Sequence, residues 1–94
     1  MEPPMEPLST TESAALRRVL EAQPTTPAKI AFAWRMSVGP ALDRATKTEW
    51  RDGVLRVRAD GDAWKREVRV ARSMLLRRMQ DLLGAEVVAR IVIE

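Results

Sequence analysis

The sequence predicts an α+β domain, a three-stranded sheet packed against helices with one extra helix at the N-terminus. Three observations carry this. Two early segments open on helix-capping signals and then place apolar residues at helical spacing. Asp52-Gly53 separates two extended segments, a strong cue for a two-residue hairpin. A long amphipathic stretch ends at Gly84 and gives way to the apolar, β-branched run Val87 to Ile93.

The elements follow in order. Met1 to Pro7 holds three prolines and two glutamates, which suit neither helix nor ladder, so residues 1–8 read as a disordered tail and 9–94 as a single domain. Ser9 with Glu12 three residues on is a capping box, with Leu8 just before it. A helix follows over Thr10 to Ala22, with Ala15, Leu16, Val19 and Leu20 as its apolar face. Pro24 and Pro27 end it. Thr26-Pro27 is an N-cap followed by proline at the first helical position. The second helix presents Ile30, Ala33, Trp34 and Val38 on one face. Gly39-Pro40 kinks it, and Ala41, Leu42 and Ala45 continue past the kink.

The hairpin pairs Thr48 to Arg51 with Val54 to Ala59. With Asp52 and Gly53 as the turn, Trp50 faces Leu55. Thr48, Trp50, Leu55 and Val57 then share one face, and Arg51, Val54, Arg56 and Arg58 the other. Asp60-Gly61-Asp62 is a turn in which Asp62 can cap the next helix, Ala63 to Leu83, stopped by Gly84. Its stripe is Trp64, Val68, Ala71, Leu75, Met79 and Leu82. Val70, Leu76 and Leu83 lie off that stripe, so a bend near Ser73-Met74 would let both halves pack. Val87 to Ile93 forms the last strand. The expected core is built on Trp34, Trp64, Leu55, Val57, Val68 and Leu75.

Composition narrows the function. The 94 residues include no cysteine and no histidine, which removes disulfides, thiolate metal sites and the commonest general base together. The absence of cysteine fits a reducing cytosol, and a cytoplasmic location is expected. No apolar run approaches the roughly 20 residues of a membrane span, and no secretory signal is evident. Ser9, Ser13, Ser37 and Ser73 have no histidine to activate them, and no glycine-rich phosphate loop is present. Asp60 and Asp62 resemble a weak metal pair, but capping explains them more simply. Neither catalysis nor a cofactor is expected.

Charge points elsewhere. Residues 1–30 carry a net −1 and residues 31–94 a net +4. Lys65, Arg66, Arg69, Arg72, Arg77 and Arg78 fall within fourteen residues, with only Glu67 against them. Lys65, Arg69 and Arg72 share a helix face, where long basic side chains can meet successive phosphates. Arg56 and Arg58 point one way from a strand and would extend that surface. The expected nucleic-acid contacts are therefore Arg56, Arg58, Lys65, Arg66, Arg69, Arg72 and Arg77. The plainer reading is a solvated helix face whose cations snorkel over the apolar stripe. Trp50 also has two readings, a platform for an unpaired base or a core residue against Leu55, and its apolar partner favours the core.

One ordered string of residues adds a resemblance: Trp34, Val38-Gly39-Pro40, Asp52-Gly53-Val54-Leu55-Arg56-Val57, Trp64, Leu75-Leu76, Leu82-Leu83-Gly84 and Ile91-Val92-Ile93. Over Ile30 to Ile93 this pattern resembles the DciA family, bacterial proteins that work with the DnaB-type replicative helicase. The resemblance implies a type II KH-like arrangement after the first helix. It also implies a DNA-binding accessory of that helicase, with the helicase and single-stranded or structured DNA as partners. RNA-binding KH domains clamp the backbone with a Gly-x-x-Gly loop, and no two of Gly39, Gly53, Gly61 and Gly84 have that spacing. Family members often carry a long flexible extension, whereas this sequence ends one residue after the last apolar strand position, at Glu94. Two other functions fit the residues alone: a general non-sequence-specific nucleic-acid binder, and a protein-interaction adaptor whose basic face meets an acidic partner.

Overall fold

A computed structural model describes residues 10–94, with side chains from Glu12 onward. The N-terminal tail and Ser9 lie outside the described residues. The elements are α1 (Thr10–Glu21), α2 (Pro27–Val38), α3 (Pro40–Arg44), β1 (Thr46–Arg51), β2 (Val54–Ala59), α4 (Asp62–Leu83) and β3 (Arg90–Ile93). This is a KH-like α+β fold with an additional N-terminal helix. The sheet order is β1-β2-β3, with β1 antiparallel and β3 parallel to β2.

Local chemistry accounts for most boundaries. The Thr26 hydroxyl accepts the Lys29 N–H, capping α2, and Pro27 occupies a position that needs no donor. Gly39, at φ 85°, leaves the helical region for a single residue before Pro40 starts α3. Asp52 and Gly53 both have positive φ, 51° and 79°, as a tight turn matching strand twist requires. The register pairs Trp50 with Leu55 and Glu49 with Arg56. β1 begins at Thr46 rather than Thr48, because the antiparallel ladder continues to Thr46 opposite Ala59.

Helices cover one face of the sheet. Trp34, Leu55, Val57, Val68 and Leu75 are buried in one cluster with Ile30, Val38, Met79, Leu82, Val88 and Ile91. The Trp34 Nε1 donates to Thr46 Oγ1 at 3.0 Å, and that hydroxyl donates to the Leu42 carbonyl at 2.7 Å. No described buried side-chain nitrogen or oxygen lacks a partner. Trp50 lies half-buried against this cluster, and its Nε1 donates to the Val87 carbonyl at 2.7 Å. That contact engages its polar edge within the fold, as the core reading expects.

Five expectations are corrected. Trp64 is 37% exposed and stands outside the core. Its angular position on α4 is right, but the first buried residue of that helix is Val68, one turn later, and the opening turn lies at the margin of the core. Ala15 and Val19 are exposed on α1, because that helix packs chiefly on α4 and a single neighbour covers only the narrow seam of Leu16 and Leu20. α4 runs through Ser73-Met74 as one continuous helix of 22 residues. Val70 is simply left in solvent, while Leu76 and Leu83 reach the edge of the core. Asp62 is the first helical residue, and Gly61 takes the cap position with no side-chain cap bond. Finally, β3 starts at Arg90. Val87 and Val88 turn their carbonyls to the side chains of Trp50 and Gln80, which takes these groups out of the ladder.

Candidate nucleic-acid interface

α4 supplies the first cationic surface. Val68, Leu75, Met79 and Leu82 fix which side faces the core. At 100° per residue, Arg66 and Arg77 then fall near the solvent apex, and Lys65, Arg69 and Arg72 follow one flank. Lys65 is half-buried and the other four are exposed. From Lys65 to Arg72 the ridge rises about 10 Å. None of the five forms an ion pair with a described residue. Arg78 differs: its guanidinium donates to the Ser37 carbonyl at 2.8 Å, tying α4 to the last turn of α2. A cation is favourable there, at the negative end of the helix.

The open face of the sheet supplies the second. Because Leu55 and Val57 point into the core, Arg56 and Arg58 point away from it. They lie on the side of the sheet opposite α4. The two arginines therefore do not extend the α4 ridge into one patch, contrary to the expectation from sequence. The domain instead has two basic faces directed apart. Arg56 and Arg58 each reach the Glu94 carboxylate at 3.6 Å. Arg56 also borders a hollow of about 540 Å³ with Arg51, Arg90, Val54 and Val92, and Glu49 and Asp52 line it too. Arg58 borders another, of about 340 Å³, with Arg44, Lys47 and Asp60.

Lys47 and Arg90 were not anticipated. Lys47 precedes the expected strand start, and carrying the alternation two residues further back would have placed it beside Glu49 and Arg51. Arg90 joins the face only through the parallel pairing that sets it opposite Val54, and a sequence does not reveal which strands become neighbours.

What this geometry can do is bind polyanions. Among the described residues, no group of three or more acidic side chains is arranged to hold a metal. The protein is thus, by class, a small KH-like domain with basic surfaces. The family model for Dna[CI] antecedent, DciA, matches residues 9–93, and the chain belongs to that family. DciA is a loader and accessory family of the DnaB-type replicative helicase and not a known catalytic family, so the role of this protein is related to that helicase. No curated protein and no solved structure matches the chain. Among the described residues, no helix is long and apolar enough to cross a membrane.

Proposed function

We propose that this protein binds DNA as an accessory of the DnaB-type replicative helicase, acting in helicase loading or operation at the onset of replication, in the cytoplasm and without catalysis of its own. Residues 9–94 act as one folded unit in this reading. The observation that carries it is the α4 surface: Lys65, Arg66, Arg69, Arg72 and Arg77 lie on one helix without an ion-pair partner among the described residues. Family membership supports the helicase half. The contacts go to phosphates, so binding is independent of sequence and weak, about 1 to 100 micromolar near physiological salt.

The test is DNA binding by an Arg69→Glu/Arg72→Glu variant across a salt series, alongside co-purification with the helicase. Binding that is unchanged by the double reversal removes the ridge as the site. DNA binding without helicase association leaves a general nucleic-acid binder. A second reading, an adaptor for an acidic protein partner, is favoured by Val70 and Met74, which stand 83% and 42% exposed one turn apart on the same helix. Helicase association without any salt-dependent DNA binding would establish that reading instead.

A further inference from the structure

We infer that the open face of the sheet is a second phosphate-binding surface for single-stranded nucleic acid, and that the Glu94 carboxylate holds its central pair of arginines in the free protein as an internal competitor. This rests on the nucleic-acid reading above and deepens it.

Arg56 and Arg58 are two residues apart on β2, which separates their backbone positions by about 6.7 Å on the same face. That step suits neighbouring phosphates on one extended strand. Glu94 lies between them. Its backbone N–H donates to the Val57 carbonyl at 2.9 Å, which fixes the residue beside both arginines. One carboxylate oxygen then lies 3.6 Å from Arg56 and the other 3.6 Å from Arg58. Both distances exceed the roughly 2.7–2.9 Å of a charge-assisted hydrogen bond. The single carboxylate therefore offsets part of the charge of two guanidinium groups while bonding fully to neither. A phosphate carries more oxygens and is free to approach, so it can bond both.

The arginines remain open to such an exchange, with side chains 60% and 74% exposed. Two further cations continue the row. Lys47 is the cross-strand neighbour of Arg58, and Arg90 borders the same hollow as Arg56. Neither forms an ion pair with a described residue. Val54 and Val92 line the hollow between arginines, where a base can lie against a guanidinium plane, while Glu49 and Asp52 line its β1 side. The face is a three-stranded sheet surface with open depressions rather than a projecting helix, so a single strand is the occupant it fits.

The experiment measures binding of a fluorescent oligothymidylate to the full chain at low salt by anisotropy. The variants are Glu94→Gln, Asp81→Asn and Arg56→Glu/Arg58→Glu. Asp81→Asn removes the same charge, but from α4. Glu94→Gln is expected to tighten binding roughly three- to tenfold, with the gain shrinking as salt rises. Asp81→Asn should change binding less than twofold, and the double reversal should weaken it at least tenfold. If the wild type binds but Glu94→Gln has no effect, or Asp81→Asn tightens binding equally, the inference is overturned while DNA binding through α4 stands. If neither the wild type nor Glu94→Gln binds, the nucleic-acid reading falls as well. A duplex of equal length that binds as tightly as the single strand would overturn the choice of occupant.

Discussion

Trp34 is held by both its apolar body and its polar edge. Its ring is 1% exposed, and its indole N–H is satisfied by Thr46, a threonine that is itself 9% exposed. Two substitutions separate these contributions. Trp34→Ala should cost about 3–5 kcal/mol, the range for emptying a large aromatic site, which is a large share of the stability of a small domain. Thr46→Val keeps the shape but strands the indole N–H, at about 1–3 kcal/mol. Trp64→Ala should cost only about 1 kcal/mol, near the centre of the distribution for point substitutions, because its site is already open to water. Thermal melts of the three variants check the order, and a Trp64→Ala loss equal to that of Trp34→Ala would return Trp64 to the core. The sequence could show that both tryptophans lie on apolar stripes. It could not show where along the helix axis the stripe finds a partner, and that is the difference between them.

At the scale of elements, α4 gives adjacent arginines opposite tasks. Arg78 bonds the C-terminal turn of α2, whereas Arg77 stands in solvent. Arg78→Ala should therefore lower the denaturation midpoint by an amount corresponding to about 1 kcal/mol, in line with a partly exposed charge-assisted bond. Arg77→Ala should leave stability within about 0.5 kcal/mol and weaken DNA binding instead. Paired denaturation and binding curves read both, and an equal stability loss at the two positions would contradict the assignment. Gly84 ends α4 at φ 101°. Gly84→Ala should cost about 1–3 kcal/mol, because a side chain is strained at that φ even where the nearest neighbour, the Glu86 side chain, can move aside. The Asp52-Gly53 turn, the span of β2, the α2 face and the Gly84 stop were all legible in sequence, since each depends on contacts within a few residues. The beginning of β3 was not. Val87 and Val88 have every propensity for a strand, but their carbonyls are taken by side chains of other elements, Trp50 on β1 and Gln80 in the last turn of α4. The continuity of α4 was equally hidden, because Val70 is tolerated in solvent while four buried residues hold the 22-residue helix on the core.

At the scale of the molecule, the cations of one sequence are sorted onto two faces that the sheet holds apart. Charge counting along the chain merges them, since Arg56 and Arg58 lie only a few residues before Lys65. The alternation of β2 separates them. The consequence is measurable in salt dependence. Each phosphate contact on a single strand contributes about 0.7 to the slope of log affinity against log salt, so Arg69→Ala/Arg72→Ala should lower the slope by about 1.4. Helicase association supplies the last test, because two faces permit two mechanisms. If the domain holds the emerging single strand beside the helicase ring, a basic face must engage DNA while another surface engages the ring. If it holds the ring itself in a loadable state, an apolar or mixed surface suffices, and Trp64, Val70, Met74 and Phe32 are the exposed large side chains available for it on α4 and α2. Loading of the DnaB-type helicase onto a helicase-free single strand decides between them. Strand holding through α4 requires that the Arg69→Glu/Arg72→Glu variant lose stimulation while still co-purifying with the helicase. Full stimulation by that variant, together with loss of stimulation in Val70→Asp/Met74→Asp, would place the action on the ring rather than on a strand held by α4. Neither substitution pair touches a buried residue, so each variant should remain folded, and a loss of function in either reports on a surface rather than on the core.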